Sequence, residues 1–312
     1  MSLMEIEALM KDDLLVQMID QVTESTIALL SEASEHIIRS GGKRTRPRIT
    51  LLAYEAAGGT TPTETIPAAA AIELIHTASL VHDDINDRSD LRRGQPTINA
   101  RWGNAAALLT GDFLFCKAMK LVARQDARII EVLADTCIRI VEGETRQLLS
   151  LENLEIDEDT YLEIVQQKTA SLFAASAQIG GLLAGAPEVQ VRALEEYGLN
   201  LGVAFQIRDD MLDFVGRPEE LGKPVGTDLR QKKMSLALVD ALHRSAGNVE
   251  QGLFDDVSSV IQFLRQTGSL EYARDKSCAY ADRAKEALST LPNSPARAQL
   301  LQLADFAAER DR

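Results

Sequence analysis

The stretch Leu80-Val81-His82-Asp83-Asp84-Ile85-Asn86-Asp87-Arg88-Ser89-Asp90-Leu91-Arg92-Arg93-Gly94 decides how the rest of the chain is read. It sets carboxylates at i, i+1 and i+4 and follows them with a paired arginine. With 80–87 helical, Asp83 and Asp87 lie one turn apart on one face, with Asp84 beside them. Like charges at that spacing cost a helix roughly 0.2–0.5 kcal/mol per pair, so something has to offset the repulsion. A solvated acidic turn at a helix end would account for one such stretch. A second copy argues against it: Phe205-Gln206-Ile207-Arg208-Asp209-Asp210-Met211-Leu212-Asp213 repeats the spacing far downstream.

Around these clusters lie 312 residues, enough for one large helical domain or two smaller ones. Alanine and leucine dominate and aromatics make up only 4%, a mixture that favours helices over strands. The formal charge of −14 argues against a nucleic-acid partner, which needs a positive surface. An acidic protein that binds an acidic substrate needs cations to mediate, and the aspartate clusters are where they would sit. Cys116, Cys137 and Cys278 show neither CxxC nor zinc spacing. Reduced, mostly buried thiols and a cytoplasmic setting are expected. No signal peptide and no transmembrane stretch of roughly 20 apolar residues is evident.

Apolar periodicity predicts helices over 14–39, 47–57, 67 to the first cluster, 104–124, 127–151, 160–183 and 189–214. Residues 88–97 and 216–231 read as loops, and three or four weaker amphipathic helices follow. No segment alternates as a strand does and no low-complexity linker divides the chain. The expectation is one all-α domain over 1–312.

Hard divalent cations take carboxylate oxygens, and Mg²⁺ is usually held by one or two carboxylates together with substrate phosphates. Two open aspartate clusters suit that arrangement. Neither has the glycine and terminal glutamate of an EF-hand loop. The cations a diphosphate wants lie nearby in sequence: Lys43, Arg44 and Arg46 near the start, Arg92 and Arg93 after the first cluster, and Lys223 and Lys233 around the loop after the second. Lys168-Thr169 interrupts a helix that continues through Ala170, Leu172 and Phe173, and a lysine in such a place calls for an anionic partner.

Together these segments resemble a known family. Gly41-Gly42-Lys43-Arg44-Thr45-Arg46-Pro47, the first DDxxD with its Arg92-Arg93-Gly94, Lys168-Thr169, Phe205-Gln206 with the second DDxxD, and Gly222-Lys223-Pro224 are similar, in order, to the trans-isoprenyl diphosphate synthases (polyprenyl synthetases). The resemblance implies an all-α isoprenoid synthase type I fold of antiparallel helices around a central cavity, a homodimer, and several Mg²⁺ ions per site. It assigns Asp83, Asp84 and Asp87 to Mg²⁺ on an allylic diphosphate, and Asp209 and Asp213 to a further ion there. Arg92, Lys168, Thr169, Gln206, Lys223 and Lys233 would hold that diphosphate. Lys43, Arg46, His76 and Arg93 would hold isopentenyl diphosphate. One segment departs from the pattern: where the family carries Gly-Lys-x-Thr-x-Pro, the chain has Lys232-Lys233-Met234-Ser235-Leu236-Ala237.

The implied chemistry suits the residue types. Ionising a C–O bond creates an allylic cation and a highly charged leaving group, whose charge metal ions and fixed cations stabilise. The cation must meet a double bond and not water, which demands a dry apolar cavity. In short-chain members a bulky aromatic one turn before the first cluster forms a floor. Ala78 and Ser79 are small, so a product longer than C15, C30 or beyond, is expected; close helix packing is the other use of such residues. Alternatives are a short-chain farnesyl or geranylgeranyl diphosphate synthase, a non-catalytic subunit of a heteromeric synthase, which the intact clusters disfavour, and a terpene cyclase, which would not need Lys43–Arg46.

Overall fold

The computed structural model describes residues 3–150, 157–215, 229, 233–245 and 253–309. In chain order it contains α1 (Leu3–Thr23), α2 (Ala28–Arg39), α3 (Thr45–Ala56), α4 (Ile66–Asn86), a hairpin of β1 (Leu91–Arg92) and β2 (Gln95–Pro96), α5 (Ile98–Trp102), α6 (Asn104–Val122) and α7 (Ala127–Ser150). Next come α8 (Glu158–Val165), a π-helical turn (Gln166–Ala170), α9 (Ser171–Leu183), α10 (Glu188–Val215), α11 (Leu236–Arg244), α12 (Val257–Gln266), α13 (Ser269–Ala287) and α14 (Pro295–Glu309). The chain divides into two compact units, Met1–Ala134 with Ser176–Val191 and Asp135–Ala175 with Arg192–Arg312.

In the first unit α4 is the organising helix. Pro67 lies in its first turn, where the missing N–H costs nothing. Ala68, Ala69, Ala70 and Ala71 follow, all buried, and α6 answers with buried Ala106, Ala107, Gly111 and Ala118. Small side chains on both helices allow the two backbones to pack closely.

Two expectations are corrected here. The helix expected over 14–39 is two helices, because serine side chains compete for the backbone between them: Ser25 N–H donates to Ser31 Oγ at 2.9 Å, and Ser31 Oγ donates to the Ser25 carbonyl at 3.1 Å. The loop expected over 88–97 contains an antiparallel hairpin pairing Leu91 with Pro96 and Arg92 with Gln95. Arg93 (φ 51°) and Gly94 (φ 74°) form its two-residue turn. Positive φ at both central positions is what the type I′ hairpin turn requires, and two-residue strands are too short to show alternation.

The second unit is built on capped helices. Asp157 caps α8 by accepting from Thr160 N–H at 2.8 Å, and Asp256 caps α12 by accepting from Ser259 N–H at 2.9 Å. Ser235 caps α11 by accepting from Leu238 N–H at 3.3 Å. This serine stands where the family pattern has threonine, and either hydroxyl can serve as that cap. Tyr161, Val165, Val203, Ile207, Phe214, Leu236, Val260 and Leu264 share one apolar core. The helix expected over 160–183 is interrupted by the π-helical turn, which carries Lys168 and Thr169.

All three cysteines are free; Cys116 is exposed and the others half-buried, so the thiols are less buried than expected. Among the described residues no helix is long and apolar enough to cross a membrane.

Candidate active site

The first aspartate cluster occupies the last turn of α4, where Asp87 N–H donates to the Asp83 carbonyl at 2.8 Å. Asp83 and Asp87 are half-buried, while Asp84 is only 2% exposed. A carboxylate that deep requires a cation. The hairpin supplies one: Arg92 donates Nε to both Asp84 oxygens at 3.0 Å and Nη2 to Oδ1 at 2.8 Å. Ser89 N–H donates to the Asp84 carbonyl at 2.9 Å, and the Thr97 hydroxyl and Asn99 Nδ2 donate to the Ser89 carbonyl at 2.7 and 3.0 Å. His36 Nε2 lies 2.7 Å from the Pro96 carbonyl and donates to it. The hairpin is therefore fixed at both ends.

Arg93, the next residue, serves a different place. Its guanidinium lies so close to the glycine pair that a Cβ on Gly42 would come within 2.9 Å of Nη1. With Gly41, Arg44, Glu73 and His76 it lines a cavity whose remaining wall includes Ile19, Ile37, Leu74 and Leu80. Burial first, then the charges of Arg46, Arg93 and Arg92, hold the His76 imidazole well below its usual range, so it is neutral at pH 7. Burial raises Glu73, opposed by the pull of Arg46, Arg44 and Arg93. Lys43 is exposed and Arg46 half-buried at the start of α3. The structure thus gathers His76, Arg93 and the Arg44 end of the basic knot.

In the second unit the π-helical turn sets Lys168 and Thr169 toward different helices. Gly143 of α7 admits the turn, since a Cβ there would come 2.7 Å from the Lys168 nitrogen. Lys168 Nζ donates to Gln147 Oε1 at 2.8 Å and pairs with Glu144, the anionic partner its burial calls for. The Thr169 hydroxyl donates to Gln206 Oε1 at 2.9 Å, and Gln206 Nε2 donates to Asp210 Oδ1 at 2.7 Å. The Tyr161 hydroxyl donates to Asp210 Oδ2 at 2.6 Å. Burial and then the Asp210 charge push the Tyr161 pKa well above its ordinary value, which keeps the proton on the donor. Asp209 is exposed, and Asp213, one turn on, is fully buried. Lys233 is half-buried two residues before the Ser235 cap, and Lys223 lies outside the described residues.

Sequence reasoning gave Asp210 no role beyond its place in the second cluster and did not single out Tyr161, Glu144, Gln147 or Glu73. Asp210 carries a signal in its i, i+4 spacing from Gln206, and Glu73 in standing three residues before His76. Tyr161 and Glu144 reach their partners from other helices, which no local pattern reveals.

Residues 27–259 match the family model described as Polyprenyl synthetase. The chain belongs to the polyprenyl synthetase family. It is 40% identical to the short chain isoprenyl diphosphate synthase of Methanothermobacter thermautotrophicus, covering 97% of this chain and 96% of that one. It is 39% identical to the octaprenyl diphosphate synthase of Escherichia coli, covering 92% of each. The crystal structure of a polyprenyl synthase from Caulobacter crescentus, complexed with calcium and isoprenyl diphosphate, superposes with a TM-score of 0.90 at 38% identity, covering 98% of this chain and 96% of that one. This synthase therefore has the all-α isoprenoid synthase fold and is a trans-prenyl diphosphate synthase, a transferase of prenyl groups.

The donor chemistry fits a hard divalent cation. Among the described residues no group of three His, Cys, Asp or Glu side chains forms a metal cage. Asp83 with Asp87, and Asp209, offer carboxylate oxygens that phosphate and water would complete, as Mg²⁺ prefers.

Proposed function

We propose that this synthase condenses isopentenyl diphosphate head-to-tail with an allylic prenyl diphosphate, using Mg²⁺, to make a product longer than C15, C30 or beyond. The observation that carries the reading is the division of the arginine pair. Arg92 is bound within the aspartate cluster through Asp84, whereas Arg93 joins Arg44 and His76 at a cavity of their own. Two adjacent cations committed to two places suit a reaction with two diphosphates.

In this reading Asp83 and Asp87 would hold Mg²⁺ for the allylic diphosphate, and Asp209 with Asp213 would hold a further ion. Mg²⁺ bound there neutralises charge on the leaving diphosphate. Asp84 differs from its neighbours: its oxygens are taken by Arg92, so it positions that arginine for the diphosphate. Lys168, Thr169, Gln206, Lys223 and Lys233 hold the same group. Lys43, Arg46, His76 and Arg93 hold isopentenyl diphosphate, the neutral imidazole of His76 acting through a hydrogen bond and not as a charge. The C–O bond of the allylic substrate breaks, its C1 bonds to the terminal alkene carbon of isopentenyl diphosphate, and a proton leaves from C2, taken by the departing diphosphate.

Long products are supported by Ala78 and Ser79. Ala78 is buried one turn before His82, whose ring packs on Gly111 of α6. The Ser79 hydroxyl donates back to the His76 carbonyl at 2.8 Å and so adds no bulk. A homodimer is supported by α6, which leaves Leu108, Leu109 and Phe115 exposed. Three free cysteines support a cytoplasmic setting.

Incubation of the full chain with Mg²⁺, labelled isopentenyl diphosphate and a C5 or C10 allylic primer, followed by product sizing, tests the reading. Condensation to C30 or longer supports it. A dominant C15 or C20 product puts a short-chain synthase in its place, and absence of condensation overturns the function itself.

A further inference from the structure

The cavity beside Arg93 has one feature that binding an anion does not call for: an acid. Glu73 lines it together with Arg44, His76 and Arg93, and among the described residues no other acidic side chain does. A carboxylate placed where a diphosphate is to bind repels it, so its presence needs a reason. The reason lies in the cations. Arg44 and Arg93 both adopt left-handed backbone conformations, with φ of 45° and 51°, and such conformations persist only where the surroundings hold them. The charge of Arg92 bears on Arg93 as well, and that of Glu73 opposes it. Repulsion among converging cations would splay them across the open cavity. His76 cannot counter it, being neutral. Glu73 stands on α4, a helix locked against α6, three residues before His76, and its charge is felt by Arg46, Arg44 and Arg93 alike.

We propose that Glu73 is a positioning residue of the isopentenyl diphosphate pocket, the counter-charge that keeps Arg44, Arg46 and Arg93 gathered for a diphosphate. The inference rests on the substrate assignment made above. It makes Glu73 act through the arginines and touch no reacting atom, and it confines the effect to one substrate. The allylic diphosphate, held by the aspartate cluster and Arg92, should not sense the change.

The test compares the full-length wild type with Glu73→Gln, which keeps shape and removes charge, and Glu73→Asp, which keeps charge on a shorter arm. Steady-state KM is measured separately for isopentenyl diphosphate and for the allylic primer, with inorganic diphosphate binding followed by calorimetry. Glu73→Gln should raise KM for isopentenyl diphosphate about tenfold, weaken diphosphate binding in parallel, and leave the primer KM within about twofold. Glu73→Asp should recover at least part of the loss. Unchanged or tighter binding in Glu73→Gln overturns the proposal, because simple repulsion would then be the whole effect. An equal rise in both KM values, or no recovery in Glu73→Asp, overturns it in favour of a packing role. A wild type that condenses nothing would instead refute the substrate assignment, which the calorimetry of all three proteins separates from the role of Glu73.

Discussion

Arg92 clasps both carboxylate oxygens of Asp84 across eight residues of chain, so one of the three aspartates of the first cluster is already neutralised by a neighbour. Asp83 and Asp87 flank it in sequence and are half-buried. The cluster therefore contains two kinds of aspartate, and mutation should separate them.

Asp84→Ala should cost stability as well as activity. Removing one partner of a largely buried ion pair leaves the other uncompensated, at about 3 kcal/mol. Asp83→Ala removes a proposed metal ligand on a more open surface and should leave the melting temperature nearly unchanged while lowering turnover by about 10³-fold. Thermal melts run beside rate assays distinguish the two. Equal destabilisation in both variants would contradict the division.

Gln206 is the centre of a relay from Thr169 to Asp210. Gln206→Leu removes the hydrogen bond from Gln206 Nε2 to Asp210 Oδ1 and should destabilise the fold by about 1 kcal/mol. It should also raise KM for the allylic substrate. Tyr161→Phe, which removes the hydroxyl donor to Asp210 Oδ2, should produce the same pattern. Urea titration and substrate-specific KM values check both.

Stability should fall on the acid side of neutrality because of His76. Its folded-state pKa lies well below the ordinary 6.5, so below that value the unfolded chain takes up a proton that the native state refuses. The stability is fully present above the unfolded pKa and is lost as pH falls toward the folded one. Glu73, raised in the folded state, works in the opposite sense in the carboxylate range. On the acid side of 6.5 the His76 effect governs, and His76→Gln should flatten that part of the curve in denaturant melts.

Chelation should abolish condensation, with Mg²⁺ restoring it. Because no metal cage exists among the described residues, removal of metal should leave the melting temperature almost unchanged. A large drop would indicate a structural ion.

Ala78→Phe should shorten the product. The ring would sit one turn before His82 on the face that meets α6. Chromatographic sizing that shows identical products from both proteins would place the length control elsewhere.

The helices and the aspartate clusters are legible in the sequence because each follows or breaks a periodic rule. Asp83 and Asp87 stand out as like charges at helical spacing, and Lys168 as a charge within an apolar run. The partners are not legible. Arg92 reaches Asp84 only because Arg93 and Gly94 turn the chain back in left-handed conformations, and Glu144 meets Lys168 from another helix. The α1–α2 break is hidden for a similar reason: Ser25 and Ser31 trade hydrogen bonds across it, and serine by itself is neutral evidence. Asp213 satisfies the spacing of a ligand, yet the fold buries it completely.

The π-helical turn at Gln166–Ala170 makes this chain sensitive to its own length. Each residue of an α-helix turns the chain by about 100°. Loss of a single codon there would let α8 and α9 run on as one regular helix, with everything on one side of the deletion rotated against everything on the other. Lys168 would no longer sit at the gap made by Gly143, nor Thr169 against Gln206. Surface loops absorb such length changes readily. Here one missing residue would leave a helix more regular than the native one, with its functional side chains facing the wrong neighbours.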